Sequence, residues 1–192
     1  MNKSNFNIPN ILSVIRLMLV PTTVLLIVND QMIWALFTFL VACITDLIDG
    51  YIARKYDLIT KLGIWLDPLA DKLMSLAVVI TFTVCSIIPM WVLIVLLSKE
   101  LIMLIGGLFI IKNGFSTPSN KFGKVAAFIM NTAVASCFIY QIPWWNACYT
   151  YFLYFGLALS VLSMVQYAVK NGHLLFEKAT ADNNLKSDEG EQ

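Results

Sequence analysis

The stretch Thr45–Lys72, TDLIDGYIARKYDLITKLGIWLDPLADK, decides how this chain is read. Asp46 and Asp49 stand three residues apart, Asp67 and Asp71 four apart, and Arg54 lies between the two pairs in otherwise greasy surroundings. Residues three or four apart share one face of a helix, so each pair projects from a single helical face. Within a membrane such acids are expensive, because one Asp near the bilayer centre costs roughly 2.5–3.5 kcal/mol on insertion scales. Four of them, dispersed and unpaired, would cost on the order of 10–14 kcal/mol, comparable with the whole stability of a typical domain. A divalent cation, a basic partner or a water-filled cavity must compensate, and each of these is a site rather than a packing device.

The remainder of the chain makes a membrane the setting. Of its 192 residues 59% are hydrophobic and only 13% charged, and the mean hydropathy is +0.77. Crossing a hydrocarbon core about 30 Å thick takes about 20 apolar residues. Six runs meet that need, at residues 11–28, 33–54, 63–86, 89–111, 122–142 and 148–170. The expected fold class is therefore all-α, a polytopic membrane protein with six transmembrane helices. Residues 1–174 are expected to form the membrane domain, and 175–192, polar and acidic, a disordered tail. The polar start, Met1 to Asn10, precedes a run of full span length with no A-x-A-like site, so the first span is expected to persist in the mature chain.

A net charge of +1 carries no signature of a nucleic-acid partner. The distribution of charge carries topology instead. Lys3 and Arg16 lie near the start, Arg54, Lys55 and Lys61 in the second connection, Lys112, Lys121 and Lys124 around the fourth, and Lys170, Lys178 and Lys186 after the last span. The opposite connections, around residues 29–31, 86–89 and 143–146, hold no Lys or Arg, and the remaining two basic residues, Lys72 and Lys99, lie within spans. The positive-inside rule then places both termini and the aspartate-bearing connection on the cytoplasmic side of the cell membrane. Trp34, Trp91, Trp144 and Trp145 fit an aromatic belt at the outer interface. Cys43, Cys85, Cys137 and Cys148 have no metal-like spacing, and the sole histidine, His173, lies past the last span as a surface residue.

About eight residues join the second and third spans, which makes them antiparallel neighbours and puts both aspartate pairs on facing helices in the cytoplasmic third of the membrane. Asp46 is roughly 13 Å along its helix from the boundary near Lys55, within reach of water and a polar substrate. Four carboxylates make a hard, oxygen-only donor set, suited to Mg²⁺ or Mn²⁺, with two ions about 3.5–4 Å apart as the natural occupancy for phosphoryl transfer. Gly50 and Ala53 lack bulk and let a ligand or helix approach the backbone. Arg54 offers a permanently charged fork for a phosphate, Gly63 thins the start of the third span, and Pro68 removes a backbone donor between Asp67 and Asp71. The alternative is a structural knot in which Arg54, Lys61 and Lys72 pair with the aspartates and merely fix the helices. Buried ion pairs are weak stabilisers and intramembrane charges are functional by default, which favours a site.

Written as a pattern, Asp46 to Asp71 reads DxxDGxxAR, eight residues, then GxxxDxxxD. This string resembles the signature of the CDP-alcohol phosphatidyltransferase family, with every defining position filled by Asp46, Asp49, Gly50, Ala53, Arg54, Gly63, Asp67 and Asp71. The resemblance implies transfer of a phosphatidyl or related group from a CDP-linked donor to an alcohol, with release of CMP. It implies that Asp46, Asp49 and Asp67 are metal ligands and that Asp71 serves both the second metal and the role of general base. Asp49, Gly50, Ala53, Arg54 and Gly63 would contact the CDP donor, and the family's habit is a homodimer.

Further segments bear on the acceptor. NIPNILSVIRLMLVP (Asn7–Pro21) and WLDPLADKLM (Trp65–Met74) resemble segments of the phosphatidylglycerophosphate and cardiolipin synthases of that family. SKEL (Ser98–Leu101) stands where those synthases tend to have an Arg before the Glu, and PSNKFGK (Pro118–Lys124) resembles their S, GK element. The resemblance implies CDP-diacylglycerol as donor and glycerol 3-phosphate as acceptor, the acceptor phosphate being held by Lys99, Lys121 and Lys124. Arg16 has two readings, a contact to donor or acceptor phosphate or a snorkel to the cytoplasmic interface, and Lys121 and Lys124 have the alternative of ordinary membrane anchoring. Ala127 and Met130 depart from the usual Thr and Gln, and Lys99 from the usual Arg. Cardiolipin synthesis from phosphatidylglycerol is the nearest rival. A divalent-cation transporter predicts carboxylates spaced along a path and gives no role to Gly50, Ala53 or Arg54, and an idle scaffold would be expected to have lost an aspartate.

Overall fold

The six apolar runs fold as six helices, α1 (Ile8–Val28), α2 (Met32–Lys55), α3 (Lys61–Val84), α4 (Met90–Lys112), α5 (Lys121–Cys137) and α6 (Asn146–Glu189). They are seen in a computed structural model that describes residues 8–55, 61–112 and 121–189, without the side chains of 8–10, 51, 53–54, 61–68, 108–112, 121, 146 and 171–189. No strand occurs among the described residues.

The helices are apolar outside, and their interior mixes apolar side chains with buried polar ones. In α1 the buried side chains include Ser13, Arg16 and Thr23, while Ile11, Val14, Ile15, Met18, Leu25 and Val28 are exposed. In α2, Ile33 is 80% exposed and Trp34 and Phe37 are turned outward with it. Hydrocarbon solvates such side chains about as well as a protein core does, so apolar side chains face inward only for close packing, while polar groups gain partners there. Four stretches, Ile11–Val28, Met32–Gly50, Met90–Gly107 and Ala147–Lys170, are long and apolar enough to cross a membrane. In α3, Lys61, Asp67, Asp71 and Lys72 crowd the first half, and α5 is short, its apolar part covering Phe122–Cys137. The all-α, polytopic membrane fold read from the sequence is borne out. At 44 residues, α6 extends about 66 Å, twice the hydrocarbon thickness, so its polar part after Lys170 continues beyond the apolar stretch.

The chain packs as two compact units, Met1–Leu93 with Asn131–Leu153 and Ile94–Met130 with Tyr154–Gln192. In the first unit α1 packs closely on both α2 and α3, and the described parts of α2 and α3 meet more sparingly. The expected direct pairing of α2 with α3 is thus mediated largely by α1. The buried residues of α2, Met32, Ala35, Phe39, Ala42 and Asp49, recur at steps of three, four and three before a step of seven to Asp49, which brings the aspartates onto the stripe that packs against its neighbours. Small Ala35 and Ala42 permit close approach, and the Thr23 and Thr38 hydroxyls, 2.9 Å apart, bridge α1 and α2. Phe138, just past α5, stacks on Phe39 of α2 and Phe82 of α3 with ring centroids 5.5 and 4.7 Å away, and Ser75 Oγ donates to Asn131 Oδ1 at 3.1 Å, joining α3 to α5. In the second unit Gly106 and Gly107 of α4 lie beside the ring of Tyr167 of α6.

Two helices end in the same device without a glycine. Asp30 (φ 58°) follows α1 and Ser86 (φ 61°) follows α3, both in the left-handed region. The amides of Asp30 and Gln31 return to the carbonyls of Ile27 and Leu26, and those of Ser86 and Ile87 to Thr83 and Phe82. This is the Schellman pattern, which satisfies orphan carbonyls at a helix C-terminus. Because Ser86 bears the steric cost of a Cβ there, Ser86→Gly is expected to stabilise the protein by roughly 0.5–1 kcal/mol. A thermal melt in detergent checks this, and an unchanged or lowered midpoint would contradict it. The end of α5 differs from expectation, since the helix stops at Cys137 rather than near residue 142. Amides 138–140 turn back to carbonyls three residues earlier, and the Trp145 indole donates as a second donor to the Ser136 carbonyl at 3.2 Å.

Candidate active site

Arg16 lies eight residues into α1, Asp46 nine residues before the end of α2, and Asp71 ten residues into α3. At about 1.5 Å per residue these are depths of roughly 12–15 Å from one end of the antiparallel helices, so the three reach a common level. The side chains meet accordingly. Arg16 Nη1 sits 2.8 Å from Asp46 Oδ1, and Nη2 donates to Asp49 Oδ2. Arg16 and Asp49 are each only 1% exposed, whereas the Asp46 side chain is 36% exposed. The Cys43 thiol of α2 lies within electrostatic range of Asp71, Asp46 and Arg16 together, which brings the α3 aspartate to the same region as the α1–α2 pair.

Arg16 therefore does not snorkel to the interface. Its guanidinium is turned inward as the counter-charge of the α2 aspartates, a role that the structural-knot alternative gave to Arg54, Lys61 and Lys72. Two donors of Arg16, Nε and Nη1, are buried without a hydrogen bond among the described residues, although Nη1 keeps its ion pair with Asp46. The signal available in the sequence was the depth of Arg16, a charge well inside the first apolar run that needs a partner at its own level.

The structure brings Asp46 and Asp49 together on Arg16, with Gly50 next along α2 and Asp71 at a similar depth on α3. Ala53, Arg54, Gly63 and Asp67 belong to α2 and α3 by their backbones, and their side chains lie outside the described residues. Among the described residues no three His, Cys, Asp or Glu side chains converge as a metal cluster. Asp46 and Asp49 nonetheless share one buried cation, the guanidinium, and present only carboxylate oxygens to it. That donor set fits a hard divalent ion. Of the residues read as acceptor contacts, Lys99 of α4 pairs with Glu100 at 2.6 Å, Lys124 is exposed in the first turn of α5, and the side chain of Lys121 is outside the description. All three belong to the second unit.

Comparison with known proteins agrees with this arrangement. The sequence pattern of CDP-alcohol phosphatidyltransferases matches residues 6–164. A CDP-diacylglycerol–glycerol-3-phosphate 3-phosphatidyltransferase of Aquifex aeolicus is 28% identical over 178 residues, covering 90% of this chain and 99% of its own. The Bacillus subtilis protein of the same name is 29% identical over 188 residues, covering 88% and 97%. A cardiolipin synthase (CMP-forming) of Streptomyces coelicolor is 36% identical over 128 residues, covering 63% and 60%. With the match running from α1 into α6 and the aspartate motif complete, this chain belongs to the CDP-alcohol phosphatidyltransferase family.

Proposed function

We propose that the protein transfers the phosphatidyl group of CDP-diacylglycerol to sn-glycerol 3-phosphate, giving phosphatidylglycerophosphate and CMP. The observation that carries this reading is the Asp46–Asp49 pair, Asp49 buried and Asp46 part-exposed, gripping one buried cation at the depth of Asp71 along its helix, in a chain whose full-length relatives carry the name of that reaction. Asp46, Asp49, Asp67 and Asp71 would hold Mg²⁺ or Mn²⁺, as two ions. When bound, such ions supply charge neutralisation on the diphosphate as CMP departs. Asp71 accepts the proton of the acceptor hydroxyl while that oxygen forms a bond to the phosphatidyl phosphorus and the phosphorus–oxygen bond to CMP breaks. Arg54, with Gly50, Ala53 and Gly63 leaving room, holds the donor's phosphates. The acyl chains of the donor stay in lipid along the exposed apolar faces.

The acceptor phosphate is assigned to Lys99, Lys121 and Lys124. Support comes from the resemblance and from the placement of Lys121 and Lys124 in the first turn of α5, where helix amides favour anions. The basic connections orient both termini and the aspartates to the cytoplasm, and the bacterial relatives make the plasma membrane the location. The homodimer that the resemblance implies belongs to the same reading. Lys124→Ala is expected to raise KM for glycerol 3-phosphate about tenfold while leaving KM for the donor within about twofold, the size of one charge-assisted contact. Equal changes in both constants would remove Lys124 from the acceptor site. The cardiolipin synthase relative favours one second reading, phosphatidylglycerol as acceptor. Turnover with phosphatidylglycerol and none with glycerol 3-phosphate would select it.

A further inference from the structure

The most unusual group in the first unit is Arg16. A guanidinium carries five donors, and a buried arginine kept only for structure normally has them satisfied. Here the side chain is 1% exposed, its two terminal nitrogens face two carboxylates of another helix, and Nε has no hydrogen-bond partner among the described residues. The partners are Asp46 and Asp49, the two carboxylates of α2 assigned above to a divalent ion. The guanidinium takes one oxygen of each carboxylate, Oδ1 of Asp46 and Oδ2 of Asp49, and a doubly charged ion drawn to the same two groups is strongly repelled by it at such separations. The two cations are alternatives.

We infer that Arg16 is a built-in competitor for the metal site: its guanidinium and the divalent ion exclude one another from the Asp46–Asp49 pair, so that α1 sets the ion concentration at which the site loads. This rests on the metal-dependent reading of the aspartates given above. The physical logic follows from the bilayer. Two unpaired carboxylates at this depth are costly, and a resident guanidinium neutralises one charge whenever no ion is bound. Its net charge of +1 leaves the pair negative, so a divalent ion still gains by replacing it. A bidentate grip held for about nine-tenths of the time weakens the apparent ion affinity about tenfold, because only the remaining fraction is competent to bind. Arg16 also touches α2 from α1, and α1 packs on α3 as well, so the exchange reaches the helix that carries Asp71.

The test is Mn²⁺ binding to the purified full chain in detergent micelles without lipid substrate, read as the loss of free-ion signal by electron paramagnetic resonance. Arg16→Gln is expected to lower the Kd for Mn²⁺ about tenfold, and in EDTA to unfold at a lower temperature than the parent, with Mn²⁺ restoring the difference. Arg16→Lys keeps the buried charge but not the fork, and serves if the glutamine variant does not fold; it is expected to tighten Mn²⁺ binding by about threefold. Unchanged or weakened Mn²⁺ binding by a folded variant, with the parent still binding, overturns the competition and makes Arg16 a support for the ligands. No Mn²⁺ bound by parent or variants overturns the metal reading as well, which separates the two failures.

Discussion

Asp71→Asn is expected to lower CMP release by about 10²–10⁴-fold while the protein still folds, the range lost when a positioned general base is removed. The substitution keeps the shape of the side chain and removes its ability to take the hydroxyl proton. Asp71 is half-buried, ten residues into α3, and in the electrostatic neighbourhood of Asp46 and Arg16. The Arg16 contacts that join α1 to α2 go to Asp46 and Asp49. For that reason its replacement should act on kcat more than on the stability of the α1–α2 contact. A folded Asp71→Asn protein that releases CMP at the parent's rate would remove Asp71 from the chemistry.

Asp49→Ala is expected to act first on folding. Both Asp49 and Arg16 are 1% exposed, and without Asp49 the buried guanidinium keeps only the part-exposed Asp46, a loss approaching that of a broken buried ion pair, about 3–5 kcal/mol. Asp46→Ala should cost less, because Asp46 is 36% exposed and the Arg16–Asp49 contact survives its loss. Unfolding in EDTA separates this effect from any lost ion binding. Equal stabilities for the two variants would mean that the Arg16–Asp49 contact does not hold α1 against α2.

The sequence already contained the helices, because hydrocarbon thickness fixes their length and six runs of that length are present. It also contained the depth of the aspartates, since counting residues from a span end measures distance along a helix. The end of α5 was not legible: the residues after Cys137 are apolar enough to continue a span, and what stops them is a turn whose carbonyl is taken up by Trp145, a tertiary contact. The partnership of Arg16 was hidden for a similar reason. Its partners lie 30 and 33 residues away, and the positive-inside rule, which treats basic residues as anchors, sends the same residue to the interface. Nor does the sequence say that α1, rather than a direct α2–α3 face, is the main packing partner of both motif helices. A short connection makes two helices neighbours in the chain without fixing how closely they pack.

The central claim is the reaction itself. Purified protein given labelled CDP-diacylglycerol should form CMP and phosphatidylglycerophosphate in equal amounts with glycerol 3-phosphate and Mg²⁺ or Mn²⁺, and neither product when the ion is chelated or the acceptor omitted. No CMP under any of these conditions, or undiminished transfer in EDTA, would contradict the account.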